Sequence, residues 1–264
     1  MRLFRLGRSE PDEPGLPDGW EAILEKRSAQ WRLLDDAERS RLGELADELL
    51  ATKRWEAARG LELTDEVRTV IAAHAALLVL ELDGDHYDQV GTIIVRAGAM
   101  ERSAPMAGPA MGVVIGDPGA VDGESGHGDG PVMVTWSSAR REAAMPRLAR
   151  DVVLHEFAHK LDSRDGVVDG TPPIDDPTER QRWIDVCTAE YQAVRAGQSV
   201  LRAYAGTNPG EFFAVATETF FTVPLDLRSL RPELYGVLRT FYRQDPAARV
   251  QARVAEAAHK HTSA

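Results

Sequence analysis

The sequence LHEFAHKLD, residues 154–162, contains the pattern His-Glu-x-x-His inside an apolar run. Residues four apart on an α-helix lie one above the other, so His155 and His159 can direct two imidazoles at one metal ion. Glu156 can then reach a water molecule on that ion and accept its proton. The pattern predicts a metal-binding helix of the zinc-peptidase type. Pro146 favours a helix start and the turn-forming residues 162–166 favour its end, which predicts a helix over 146–163.

Two histidines need a third protein ligand, and no His-x-x-Gly-x-x-His extension follows the motif. Further along the chain, Asn208 and Pro209 predict the start of a helix, with asparagine as cap and proline in the first turn. Glu211 could be the third ligand, or it could fold back onto the cap as a capping box. Because an unpaired carboxylate is costly in so apolar a helix, the ligand role is favoured. Glu218, two turns later on about the same face, is a rival ligand.

Three short β-branched runs in the middle of the chain predict a small sheet, with strands at Gln89–Val95, Gly112–Gly116 and Val132–Trp136. The glycine- and acid-rich stretch from Asp117 to Gly130 matches no calcium-loop pattern and is interpreted as a loop. The last strand could be a cleft edge that pairs with an extended peptide, or it could only complete the sheet. The sequence leaves these two roles open.

Helical periodicity dominates the remainder of the chain. His74, beside alanines in one of these helices, is interpreted as a hydrogen-bonded interior residue, because no further ligand lies near it in the sequence. The helices are predicted around Trp20–Trp31, after Asp35-Asp36, from Asp65 to Leu80 with Thr64 as cap, from Pro177 to Ala196, and as a pair between Leu230 and Ala257 divided at Asp245-Pro246.

The predicted fold class is α+β, mostly helical with a small mixed sheet before the metal-binding helix. We expect a flexible tail at 1–19, a single domain at 20–258 and a frayed end at 259–264. Within the domain, residues 20–88 form a helical part, and residues 89–258 contain the sheet and the site. Asp162, at the end of the motif helix, could support a ligand or serve turn chemistry alone.

Composition excludes several classes of function. The 264-residue chain has a formal net charge of -11, which argues against binding to nucleic acid or an anionic membrane. The single cysteine, Cys187, cannot form an intramolecular disulfide, so we expect a reducing, cytoplasmic setting. The N-terminus lacks the apolar core of a signal peptide, and the most apolar run, Val67–Leu82, is too short and too polar to span a membrane.

Two segments, VVLHEFAHKLD at 152–162 and YAGTNPGEFFAVATETFF at 204–221, resemble the Mlc titration factor A family of bacterial zinc-dependent peptidases. The resemblance is close over about residues 130–245. More distantly, the same segments are similar to the catalytic segments of anthrax lethal factor. The resemblance implies a zincin-like metallopeptidase fold with one zinc ion per chain.

It also implies a role for each matching residue. His155, His159 and Glu211 would be the zinc ligands, Glu156 the general base, and Tyr204 the tyrosine that faces the oxyanion. A phenol suits that task, because it can donate a hydrogen bond to the oxygen that gains charge during attack on a carbonyl.

Substrate and partner follow from the resemblance as expectations. It implies a peptide or protein substrate, aminopeptidase-like activity, and binding to a transcriptional repressor, Mlc, with consequences for sugar uptake. Two alternatives stay open: a regulatory binding protein with a weak or gated peptidase site, and an endopeptidase with an extended cleft. A purely structural zinc site is disfavoured, because Glu156 and Tyr204 would then have no task.

Overall fold

The computed structural model describes residues 15–58, 60–98, 123–125 and 130–262. Most of the predicted tail, the predicted strand Gly112–Gly116 and most of the predicted loop lie outside these residues. The described helices are α1 (Trp20–Arg27), α2 (Asp36–Thr52), α3 (Asp65–Leu78), α4 (Trp136–Ala144), α5 (Val152–Asp162), α6 (Pro177–Arg195), α7 (Pro209–Thr222), α8 (Pro224–Leu230), α9 (Pro232–Tyr242) and α10 (Pro246–Thr262). The strands are β1 (Arg54–Ala57), β2 (Thr92–Arg96), β3 (Gly123–Ser125) and β4 (Val132–Thr135).

Capping side chains fix where the helices begin. Asp35 forms a complete capping box with Glu38 at the start of α2, and Thr64 accepts a hydrogen bond from the Val67 amide at the start of α3. Asn208 caps α7 by accepting from the Glu211 amide. The caps predicted at Thr64 and Asn208 are therefore confirmed. Helices α4 and α8 were not predicted, and α10 extends past the expected end at Ala257.

The four strands form one mixed sheet in the order β1-β2-β4-β3. Strands β1, β2 and β4 are parallel, and β3 pairs antiparallel with β4. Strand β1, whose four residues include Arg54 and Glu56, was not predicted, and β3 lies in the segment that was predicted to be a loop. Because β4 lies between β2 and β3, it is not an edge strand. The suggestion that β4 pairs directly with a substrate peptide is therefore wrong, and its role is to complete the sheet.

The helix that carries His-Glu-x-x-His is shorter than predicted. Pro146 begins only a 3-10 turn, and Ala149 adopts a left-handed conformation with φ 49° that interrupts helical geometry. The helix starts afresh at Val152, where Asp151 accepts hydrogen bonds from the amides of Val153 and Leu154. The Asp151 cap, rather than the proline, sets the start of α5.

The same aspartate joins α5 to the N-terminal helices. Its second carboxylate oxygen lies 2.6 Å from His74 Nδ1, and His74 Nε2 lies 2.9 Å from Ser28 Oγ. His74 is 1% exposed and Asp151 is fully buried, so each satisfies a polar group that would otherwise be buried without a partner. His74 is thus a hydrogen-bonded interior residue, as predicted.

Helix α5 is enclosed by α3, α4, α7 and the sheet. Its residues Leu154, Phe157, Ala158 and Leu161 are at most 1% exposed. Burial of a side chain such as Phe157 stabilises the fold by about 1.5–3 kcal/mol. Such packing holds the motif helix rigidly. Among the described residues, no helix is both long and apolar enough to cross a bilayer.

We predict that Asp151→Ala lowers the free energy of unfolding by about 2–4 kcal/mol, because it removes a helix cap and leaves His74 buried without its partner. The matched control is Asp35→Ala, which removes an exposed cap from α2 and should cost about 1 kcal/mol. Urea denaturation monitored by circular dichroism measures the free energy of unfolding of both variants. Equal losses would show that the buried Asp151–His74 pair adds nothing beyond capping.

Candidate active site

Two helices bring the predicted ligands together. Helix α5 presents His155 and His159 one turn apart, and α7 packs against it and presents Glu211 and Glu218 two turns apart. Glu211 is the third residue of α7, yet its carboxylate is directed at the histidines. Only its backbone amide takes part in capping, through Asn208 Oδ1. The structure therefore unites His155, His159 and Glu211, and it does not show the capping-box alternative.

The distances between the side-chain atoms of this cluster suit a metal ion with tetrahedral coordination. His155 Nε2 lies 3.2 Å from His159 Nε2 and 3.1 Å from Glu211 Oε2, and the latter lies 3.7 Å from His159 Nε2. Ligands bound about 2.0–2.1 Å from a tetrahedral ion are separated by about 3.3 Å. Within the described residues, this is the one His/Cys/Asp/Glu group with ligand atoms close enough to hold a metal ion. Two imidazoles and one carboxylate are also the donor set of many catalytic zinc sites.

The hydrogen bonding of the Glu211 carboxylate also supports a cation site. Glu211 Oε2 is buried and accepts no well-directed hydrogen bond from the described residues, despite its short contact with His155. Burial raises the pKa of Glu211, but the adjacent imidazoles outweigh this effect and hold the pKa well below its usual range. Burial lowers the pKa of His155, whereas contacts with the carboxylates of Glu211 and Glu218 raise it to about 10. The cluster thus attracts positive charge, which a divalent cation can supply.

Glu156 lies in the interior beside the cluster and is 3% exposed. Burial is the main cause that raises its pKa to about 7; the charge of His155 opposes this, and the carboxylates of Glu211 and Glu218 reinforce it. Its Oε2 atom has no hydrogen-bond partner among the residues that the structure describes. The carboxylate is therefore available to exchange a proton with a molecule bound at the cluster.

Tyr204 lies in the 3-10 turn Ala203–Gly206, which packs against α7. Its ring centre is 6.2 Å from that of His155, and the residue is 49% exposed. Partial burial and the nearby carboxylate of Glu211 raise the pKa of Tyr204 to about 12. The phenol therefore keeps its proton at neutral pH and lies beside the cluster, partly exposed to solvent.

Two acidic residues whose roles the sequence left open have distinct surroundings. Glu218 is not one of the three clustered ligands; its Oε1 instead lies 2.7 Å from Nδ1 of His155, on the far side of that ring. Asp162 is fully buried, and its Oδ2 accepts a hydrogen bond from the Gly170 amide at 2.9 Å. Burial raises the pKa of Asp162 to about 7. This contact anchors the loop that follows α5, which is the turn role considered for Asp162.

Fold and site define a mostly helical protein with a His-His-Glu cluster on two packed helices, an arrangement typical of metal-dependent hydrolases. The family model described as "Glucose-regulated metallo-peptidase M90" matches residues 4–243. The chain belongs to this family of metallopeptidases, and the family implies a metal.

Its relatives include an uncharacterised protein of Synechocystis sp., 34% identical over 236 residues that cover 88% of this chain and 86% of the relative. The protein named Mlc titration factor A of Serratia proteamaculans is 32% identical, with 84% and 86% covered. The protein of the same name from Yersinia pestis is 30% identical, with 83% and 82% covered. These matches confirm the resemblance to the Mlc titration factor A family that the two sequence segments indicated.

We predict that adding zinc to chelator-treated protein raises its thermal unfolding midpoint. At free zinc about 100 times Kd, binding stabilises the folded chain by about 2.7 kcal/mol, which corresponds to roughly 5–10 °C at this chain length. Glu211→Ala should abolish the shift. Asn208→Ala is the control: it removes the α7 cap, and should lower the midpoint but keep the zinc response. Differential scanning calorimetry measures both, and an unchanged zinc response in Glu211→Ala would contradict the three-ligand cluster.

Proposed function

We propose that the chain is a zincin-like, zinc-dependent peptidase that hydrolyses peptide bonds, with one zinc ion held by His155, His159 and Glu211. The proposal rests on three atoms that lie 3.1–3.7 Å apart: Nε2 of each of the two histidines and Oε2 of Glu211. They lie next to the glutamate of the His-Glu-x-x-His motif. Membership of a metallopeptidase family supports it.

The chemistry is divided between the metal and two side chains. When bound, zinc would supply Lewis-acid polarisation of a carbonyl and of a water molecule. Glu156 accepts the proton of the attacking water and then passes it to the leaving amine, so that the peptide bond breaks without free charge on nitrogen. Its burial beside His155 keeps the carboxylate close to the reacting atoms.

Tyr204 would stabilise the negative charge that develops on the carbonyl oxygen. A phenol keeps its proton at neutral pH and can donate a hydrogen bond, and the half-exposed position of Tyr204 leaves it accessible to a substrate. In the structure its ring lies beside His155, close to the cluster. The 3-10 turn that carries Tyr204 packs against α7, and this packing suits a preorganised donor.

We propose aminopeptidase-like activity on peptide or protein substrates in the cytoplasm, following the resemblance. A panel of chromogenic amino-acid and peptide substrates, each with a free or a blocked amino terminus, tests this specificity. Cleavage restricted to free amino termini would support an aminopeptidase. Cleavage of blocked peptides at internal bonds would favour an endopeptidase.

A second candidate function is suggested by the relatives named Mlc titration factor A, at 30–32% identity. That name implies binding of Mlc by those proteins, and this chain could likewise bind a transcriptional repressor. The two functions are separable by experiment. Hydrolysis by the purified chain alone supports a peptidase, whereas repressor binding without hydrolysis, with or without the partner present, supports a binding protein.

We predict that Glu156→Gln lowers kcat by at least about 1000-fold, because the amide cannot accept a proton. Zinc content should stay near one ion per chain, since Glu156 is not among the three clustered ligands. Peptidase assays and elemental analysis on the same sample check the two results. Near-normal turnover with full zinc content would exclude Glu156 as the proton carrier.

We predict that Tyr204→Phe lowers kcat about 100-fold or more while zinc content is unchanged, the loss expected when one oxyanion donor is removed. Tyr191→Phe is a matched control: this half-buried tyrosine lies on α6 and donates a hydrogen bond to the carbonyl of Gly206, the last residue of the same turn. It should keep nearly full activity. Steady-state kinetics decide, and equal kcat values for the two variants would reduce Tyr204 to a packing role.

A further inference from the structure

Each ring nitrogen of His155 is in short contact with a carboxylate, and both carboxylates come from α7. Glu211 Oε2 lies 3.1 Å from Nε2, and Glu218 Oε1 lies 2.7 Å from Nδ1. The two glutamates are seven positions apart, which is about two turns of α7, and the imidazole lies between them. Glu211 shares the cluster on the Nε2 side, whereas Glu218 meets the opposite nitrogen of the ring and is not part of the cluster.

Glu218 is itself held by two further donors. Its Oε2 accepts a hydrogen bond from the Asp151 amide at 2.8 Å, and its Oε1 is paired with the guanidinium of Arg202. Glu218 is 2% exposed, so these contacts are shielded from water. The carboxylate is thus fixed from three sides, by the start of α5, by His155 and by Arg202.

We propose that Glu218 is a positioning residue that selects the metal-binding tautomer of His155, an inference that rests on the proposed zinc site. By accepting a hydrogen bond from Nδ1–H, Glu218 leaves the Nε2 lone pair free and directed at the cluster. It also fixes the orientation of the ring and makes Nε2 a stronger donor to a cation.

Arg202 extends this arrangement to the substrate side. It lies two residues before Tyr204, and its ion pair with Glu218 joins the segment that carries the tyrosine to a metal ligand on α5. One carboxylate therefore fixes both the His155 ring and the entry to the Tyr204 turn. The side chain of Arg202 is 23% exposed, so it closes the network at its outer end.

The test compares Glu218→Gln with Glu142→Gln. Glu142 is an equally buried glutamate that accepts from the Val152 amide at 2.9 Å, at the same end of α5, but no contact joins it to a histidine in the described part of the chain. Glutamine keeps the size of either side chain. If Glu218 positions His155, Glu218→Gln should raise the Kd for zinc about 10–100-fold, and Glu142→Gln should leave it close to the wild-type value.

Competition with a zinc chelator measures these affinities without reference to activity. Equal Kd values for wild type and Glu218→Gln, or equal losses in both variants, would overturn the proposal. If Glu218→Gln does not fold, NMR of the zinc-loaded wild type decides. A strongly downfield, slowly exchanging Nδ1–H resonance of His155, as expected for a short hydrogen bond to a carboxylate, supports the proposal, and an Nδ1–H that exchanges rapidly with water overturns it. If the wild type binds zinc and Glu218→Gln weakens that binding, but the wild type cleaves no peptide, only the proposed peptidase function is refuted. If the wild type does not bind zinc, the peptidase function and the positioning role of Glu218 are both overturned.

Discussion

The structure of the site depends on the packing of α5 against α7. Helix α5 alone can place two imidazoles on one of its faces, but it cannot supply a third ligand. Helix α7 supplies it because its apolar residues are buried against α5, which forces the carboxylates of Glu211 and Glu218 onto His155. Two carboxylates in so apolar an interface would be unfavourable without positive charge between them. The imidazoles meet that requirement in part, and the proposed zinc ion would supply the rest.

The N-terminal helices contribute to this arrangement although they carry none of the clustered ligands. Asp151 caps α5 with one oxygen and contacts His74 of α3 with the other, and its amide donates to Glu218 of α7. Three helices thus meet at one residue, the N-cap of the helix that carries the motif. This fixed point constrains where the three clustered side chains can lie. In the proposed peptidase that constraint matters, because a shift of about 1 Å at a catalytic group can cost orders of magnitude in rate.

Much of this could be predicted from the sequence, because local chemistry decides it. Thr64 and Asn208 were identified as caps, and His74 as an interior residue, from neighbouring residues alone. The start of α5 was not predicted correctly, because Pro146 and Asp151 are both acceptable helix starts. Asp151 also contacts His74, which is distant in the sequence, and local patterns do not show that contact. Strands β1 and β3 are three or four residues long, too short for a periodic pattern, and exist through pairing with β2 and β4.

For the site, spacing showed that Glu211 and Glu218 share a face of α7, but not which nitrogen of His155 each would meet. That depends on how α7 lies along α5, which is a property of tertiary packing. The most direct test of the proposed centre is anomalous X-ray scattering at the zinc edge from crystals of the zinc-supplied chain. A single peak about 2.0–2.2 Å from His155 Nε2, His159 Nε2 and Glu211 Oε2 is the predicted result. No peak there, or a peak with a different set of ligands, would contradict it.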